Sequence, residues 1–467
     1  MAPPSKNVRS ISQEAFDELV KENMEDLGME PAEALEDAIQ SLSIQGVDLS
    51  GIVKCVPGEG SVGDNPVIKC IERLNTLKSN PSGEIVGNNL DEMAGLLRQL
   101  IEECSVEGSG NVAVAVRNGG VETITSLCSK IPIRSSEQIL VLAFGALALL
   151  IHDIEGTEKF RSSGGPAVLI SHLREGIRTL GILNSGFSVV ARAATSNEVV
   201  KQSFMELKID ELILQVLNEQ SKGTVQSLYD AIRVLLTPDD NRVVASEVYG
   251  YARRFAKVGI AIALVESLHA GLTSPSLVSA CIALRAVAVN DEICKSIAES
   301  GGIDMILKCI DDSGEQGNSD VARTCCSLLS KLAGSDSNKA AIVEKKGMVR
   351  LIQLSSRFAD DPLVLLEVMS IFTVLSLRSP DNAARAMEAG AGDLAIQAMK
   401  KFHSTPLLQR NACMMIRNLA VRNLENRTLL LGQGIEKCIR RARENHGSCK
   451  AAATDALRDL GLDNYNS

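Results

Sequence analysis

The chain has no Trp, four Tyr and nine Phe in 467 residues, while its hydrophobic share reaches 45%. An interior this poor in rings must be packed with Leu, Ile, Val and Ala. That suits helices rich in Ala and Leu and argues against sandwiches of aromatic, β-branched strands. The indole platforms that many ligand sites use are excluded outright. Histidine is scarce: His152, His172, His269, His403 and His446 lie far apart, with no H-E-x-x-H or H-x-E pairing. No Ser sits in a G-x-S-x-G elbow, so hydrolase and metal chemistry find no constellation, and we expect a non-enzymatic chain without a cofactor.

The 12 Cys show no C-x-x-C spacing, which leaves no readable zinc site. The N-terminal MAPPSKNVRS has no apolar core of the kind a secretory signal needs. Reduced thiols in the cytoplasm, or also the nucleus, are therefore expected. The longest apolar run, Ile139 to Ile151, covers 13 residues against the about 20 that a membrane span requires, and reads as a buried helix. A net charge of 48 − 58 = −10 repels nucleic acid and anionic lipid, so neither is expected as a partner.

What is present is a repeat. A short amphipathic helix runs into Gly-Gly or its remnant, and a second helix begins at once: RNGGVETITSL at Arg117, SSGGPAVLISHL at Ser162, ESGGIDMILKCI at Glu299. Weaker copies start at Glu206, Phe255, Glu344, Glu388 and Leu431. With the second position of the pair as marker, Gly120, Gly165, Ile209, Gly259, Gly302, Gly347, Ala391 and Gly434 lie 45, 44, 50, 43, 45, 44 and 43 residues apart. Glycine suits a tight corner because it permits positive φ and close packing. Asn111, Asn338 and Asn382 lie nine residues before their markers, and Asn197 and Asn290 twelve before, positions that suit N-caps of the first helix.

Each unit then adds a longer apolar helix, such as LLQRNACMMIRNLA from Leu407. Three helices in about 45 residues is the armadillo pattern, with the two-helix HEAT repeat as neighbour. An earlier unit, GDNPVIKCIERL from Gly63, places Cys70 where Cys309 falls, a small buried position. The expectation is an all-α, right-handed armadillo superhelical solenoid of about nine repeats over 63–461, preceded by an N-terminal helical cap over 1–62. In that cap, Ser10 to Gln13 fits a capping box. Phe16, Leu19, Val20 and Met24 share a face, and a second helix starts at Pro31 with Leu35, Ala38, Ile39 and Leu42 inward.

ISQEAFDELVKEN from Ile11, GVDLSGIVK from Gly46, SPDNAARAMEAGAGDLAIQAMKKF from Ser379, CMMIRNL from Cys413 and DALRDLG from Asp455 resemble the armadillo repeat-containing protein 6 family, from about Ile11 to Gly461. The resemblance implies an intracellular protein-binding chain with no established catalytic residues.

GEGSVG at Gly58 fits G-x-G-x-x-G, but helices rather than alternating strands follow, so a loop is expected. Arg440, Arg441 and Arg443 lie in a helix beside Glu436 and Glu444 and read as a solvated face. Aligning third helices on IRNLA puts Arg192, Arg233, Arg285, Arg417 and Arg458 in one column. The next column reads Leu149, Ala193, Val234, Ala286, Lys331, Ser376, Asn418 and Asp459. In armadillo proteins resembling importin-α that second column carries Asn, which grips an extended peptide; here only Asn418 remains, which argues against an import receptor. The Arg column either faces an acidic or phosphorylated protein partner or staples adjacent repeats.

A 50-residue interval holds Asp239, Asp240, Arg242, Tyr249, Tyr251, Arg253 and Arg254, a hot-spot composition or merely a lengthened helix. The expected function is a monomeric scaffold that binds a protein along a concave groove through these residues. The alternative is regulation of a small GTPase.

Overall fold

A computed structural model describes residues 9–49, 51–57, 65–78, 87–219, 225–238 and 245–462. Among the described residues it is built of helices, with a short parallel pairing of β1 (Arg9–Ser10) with β2 (Val47–Asp48) near the start. Strands of two residues carry no alternation, so nothing in the pattern announces them.

Helix α1 (Gln13–Glu25) begins at Ser12, whose hydroxyl accepts from the Ala15 N–H at 3.1 Å. The expected box at Ser10 is displaced by two residues because Ser10 belongs to β1. Helix α2 (Pro31–Ile44) opens on proline as expected, where the missing N–H costs nothing. Phe16 and Val20 pack on Ala34, Ala38 and Leu42, and Leu49 and Ile52 close this small core. Gln13 ties down the segment that follows by bonding both the N–H and the C=O of Val53, at 2.8 and 3.0 Å. The Arg117 guanidinium lies 3.8 Å from Asp48 and presses on Gly51, where any Cβ would come within 2.3 Å of it.

The chain forms two compact units, Met1–Leu212 with Pro238–Val243, and Ile213–Thr237 with Val244–Ser467. In the first, α3 (Pro66–Lys78) and α4 (Gly87–Cys104) make the opening repeat. It is followed by α5 (Asn111–Arg117), α6 (Gly120–Cys128) and α7 (Ile133–Leu150), then α8 (Ile154–Ser162), α9 (Gly165–Glu175) and α10 (Leu180–Ala194). Next come α11 (Glu198–Glu206) and α12 (Ile209–Glu219), within which the division falls.

The second unit continues with α13 (Gln226–Leu235), then α14 (Ala245–Val258), α15 (Ile260–Ser267) and α16 (Leu277–Val287). Two repeats follow: α17 (Asp291–Glu299), α18 (Gly302–Gln316) and α19 (Ser319–Leu332); α20 (Asp336–Glu344), α21 (Gly347–Arg357) and α22 (Pro362–Ser376). The last two are α23 (Pro380–Ala389), α24 (Ala391–Lys401) and α25 (Pro406–Ala420); α26 (Leu424–Gly432), α27 (Ile435–Asn445) and α28 (Lys450–Asp459). This is the armadillo order of three helices per repeat, the first the shortest in most of them. Cys70 and Cys309 are both buried in second helices, and Ile139 to Leu150 lies in α7.

The corner residue that needs positive φ is mostly the one before the sequence marker. Gly119, Gly164, Gly301 and Gly390 adopt 78°, 78°, 84° and 108°, and Lys208 and Lys346 reach 59° and 57°. Only Gly259 and Gly434 are themselves both marker and corner. In most of the other repeats the marker glycine opens the second helix for a different reason: a Cβ on Gly302 would lie 2.7 Å from the Ile297 carbonyl. The pair therefore divides two tasks, left-handed backbone and close approach. Gly301→Ala should cost about 1–2 kcal/mol, the penalty of a Cβ in the left-handed region. Lys346→Gly should be neutral or stabilising by less than about 1 kcal/mol. Urea unfolding of the two variants beside the parent measures both.

Candidate functional site: the ends of the third helices

In the first unit α4, α7 and α10 pack in series; in the second α13, α16, α19, α22, α25 and α28 do so. Burial sets their common register. Arg233, Arg285, Arg417 and Arg458 each follow a fully buried pair: Ala231 and Ile232, Ala283 and Leu284, Met415 and Ile416, Ala456 and Leu457. Arg192 stands one place later, because Ala191 intervenes after Val189 and Val190, so it corresponds to Asn418. In α22 the position matching Asn418 is Val374, not Ser376, since α22 and α25 both run 15 residues from a proline. Connections of unequal length let a repeating apolar pair slide by one or two places, which no single sequence reveals.

The arginines of this row do two things. Arg417 reaches from α25 to α28, 3.0 Å from Asp455 and 3.2 Å from Asp459, and Arg458 lies 3.1 and 3.0 Å from the same carboxylates. These two staple the last repeats, although partial exposure limits each contact to about 1 kcal/mol or less. Arg417→Glu would gather three carboxylates and disturb the fold, so it is no clean probe of binding. Arg192, Arg233 and Arg285 are exposed. Asn418 donates to the Thr373 carbonyl at 2.8 Å and Asn411 to that of Leu366 at 3.3 Å, so their amides are spent within the fold.

Asp239, Asp240 and Arg242 lie outside the described residues. Tyr249, Tyr251 and Arg253 belong to α14, a first helix of 14 residues where other first helices have 7 to 10. Tyr249 is 48% exposed, Tyr251 half-buried and Arg253 exposed. This set sits on a first helix and the arginine row on third helices, so the fold does not bring the two together on one row.

Asn111, Asn338 and Asn382 are not N-caps. They lie inside their first helices and donate backwards, to the carbonyls of Glu103 at 2.9 Å, Leu332 at 3.1 Å and Leu375 at 3.1 Å, in the last turns of α4, α19 and α22. Asn426, which the sequence marker had put out of phase, does the same to Leu419 at 2.9 Å. Counted from the left-handed residue, all four stand eight places before it. Asn197 and Asn290 do cap, accepting from Val200 and Ile293. The accounting at α22 closes: Thr373 accepts from Asn418, Val374 from the Leu377 N–H, Leu375 from Asn382 and Ser376 from the Ser379 N–H. Asn338 is only 2% exposed and also bonds Cys294 at 2.9 Å. Asn338→Ala should therefore lower stability by about 1–3 kcal/mol, as buried acceptors lose their donor; denaturant melts measure it.

Burial holds the Glu367 carboxyl above its usual range, against the pull of Arg285, a hydrogen bond from Ser327 and the pull of Arg323. A raised folded value means that stability is present below the ordinary carboxylate range and lost as pH rises through the folded value. Glu367→Gln should raise the thermal midpoint at pH 7, and the gain should vanish below about pH 4, where the parent side chain is neutral as well. Melting curves over that interval test the sign.

The cysteines are all free, and burial pushes the thiols of Cys128 and Cys413 up to about 12. Such thiols are not nucleophiles at neutral pH. Among the described residues no group of three His, Cys, Asp or Glu is placed to hold a metal, and no single helix is long and apolar enough to cross a membrane. Gly58 to Gly63 lies outside the described residues. Arg440 bonds Glu436 at 2.8 Å along α27.

The family profile for ARMC6 matches residues 74–464, and that for the armadillo repeat-containing protein 6 N-terminal domain matches 8–72. The chain belongs to the armadillo repeat-containing protein 6 family. Human armadillo repeat-containing protein 6 is 26% identical over 386 residues, 80% of this chain and 75% of the relative. The Drosophila melanogaster homolog of armadillo repeat-containing protein 6 is 27% identical over 388 residues, 81% of this chain and 80% of the relative. Among solved structures, an engineered protein superposes with a TM-score of 0.68 at 17% identity, covering 97% of this chain and 99% of its own. A chain from work on a phosphorylation switch that controls the interaction between cadherin and beta-catenin gives 0.61 at 16%, covering 96% and 81%. At these identities the structural likeness speaks for the fold of the ARMC6 family chain and no more.

Proposed function

We propose that the chain is a non-enzymatic scaffold that holds a protein partner along the third-helix row of its second unit. What carries this is the exposure of Arg233 and Arg285 at one register position on third helices of one packed series. Guanidinium groups on a rigid row recognise carboxylate or phosphate bidentately, which suits an acidic or phosphorylated partner. Armadillo folds serve as protein-binding scaffolds, and the structural neighbour studied with cadherin is consistent with that use. The setting we propose is the cytoplasm, with the nucleus as a second compartment, and a monomer.

Cross-linking capture with the full chain, read by mass spectrometry, tests the proposal. Arg233→Glu combined with Arg285→Glu should cut recovery of the partner by about tenfold or more, the loss of two charge-assisted contacts, at an unchanged thermal midpoint. Equal recovery by parent and variant would sink it. Recovery of a small GTPase whose nucleotide release the chain accelerates would move the assignment to a regulator.

A further inference from the structure

Between the ends of α22 and α25 lies a recess of about 180 Å³, lined among others by Ser376, Arg378, Arg417, Arg422 and Asp459. Arg378 and Arg422 stand at the same place in successive repeats, just before the N-cap of a first helix, and both hold left-handed backbone, at φ 57° and 62°. The corresponding recess of the first unit, about 160 Å³ between the ends of α7 and α10, carries His152 and Ser196 at these places, and Ser196 takes φ 55°. The turn therefore does not call for arginine. Neither Arg378 nor Arg422 forms an ion pair among the described residues.

Charge around the recess is positive. Among its lining residues Arg378, Arg417 and Arg422 oppose Asp459, 3 − 1 = +2, and that carboxylate is already gripped by Arg417 and Arg458. The carbonyls of the last turn of α22, which would repel an anion, are occupied by the donors described above. Ser376, one of the lining residues, is 2% exposed, and its buried hydroxyl has no hydrogen-bond partner. A buried hydroxyl without a partner is destabilising, and a small shift toward a bound acceptor would relieve that.

We propose that this recess binds the phosphate of a phosphorylated side chain presented by the protein partner. A carboxylate has two oxygens, which one guanidinium saturates. A phosphate monoester has three and a charge near −2, which engages arginines arriving from two repeats and matches the local excess. This deepens the partner reading and rests on it for the source of the phosphate, but the site can be tested without any partner.

The test follows the phosphorus resonance of N-acetyl-O-phosphoserine amide, and of inorganic phosphate, titrated with the full-length protein. Saturable binding is expected, weakened by about tenfold or more in Arg378→Gln/Arg422→Gln, a loss of two bidentate contacts. Arg378 also borders the adjoining recess between α20 and α23, and Arg385→Gln, which removes one positive charge from that recess alone, should leave binding unchanged. N-acetyl-glutamate amide should displace the phosphoserine poorly. Unaltered binding by the double variant, equal weakening by Arg385→Gln, or equal competition by the glutamate would each overturn the site. Failure here with partner capture still dependent on Arg233 and Arg285 would reject the recess alone; phosphate binding without any such capture would reject the scaffold.

Discussion

Every helix leaves carbonyls unpaired in its last turn, and in this chain the residues Leu332, Leu375 and Leu419 in the last turns of α19, α22 and α25 are fully buried. The next repeat must supply the donors. It does so with Asn111, Asn338, Asn382 and Asn426, and at the final corner also with Arg427, which donates to Ala420 at 3.1 Å. At these four junctions the third helix is complete only when the following first helix is in place. That requirement, added to apolar packing between like helices, makes each repeat a condition for its neighbour and gives the nearest-neighbour coupling expected of repeat proteins.

The same requirement explains why so few aromatic residues suffice. Helices stacked on near-identical helices present matching ridges and grooves that Leu, Ile, Val and Ala fill, and the fully buried rings are spread along the chain, Phe144, Phe187 and Phe372 in third helices and Phe160, Phe204 and Phe255 in first helices. Polar specificity comes from amides and guanidiniums reaching backbone carbonyls one repeat back, rather than from buried ion pairs. Lys201, fully buried, departs from this and is held by close pairing with Glu198 at 2.9 Å.

The repeat period and the order of helices were legible because they rest on glycine corners and on apolar spacing, both local properties. Less legible was the meaning of each position within a corner. Lys208 and Lys346 occupy left-handed backbone that a sequence reader assigns to glycine, while the lone Gly259 and Gly434 are themselves the corner, so the marker drifts by one at those two repeats. With it, the backward-donating asparagines came to look like caps. The arginine column suffered likewise: Arg192 and Arg417 share a phrase but not a register. That Arg417 is engaged by Asp455 and Asp459 while Arg233 stays exposed depends on the neighbouring helix, which no column within a single repeat records. Arg378 and Arg422 drew no notice, since nothing but their backbone angles and their shared recess sets them apart.

The scattered cysteines give the molecule a set of internal reporters. Cys70, Cys104, Cys128, Cys281, Cys294, Cys309, Cys326 and Cys413 are buried in eight different helices. Burial raises the pKa of Cys70, Cys104, Cys128, Cys294, Cys326 and Cys413, and a hydrogen bond with Cys325, reinforced by burial, raises that of Cys309. A thiol kept protonated and sealed off reacts only when its own helix comes away from its neighbours. The order in which these sulfurs become available to an alkylating reagent therefore maps where along the chain the stack opens first.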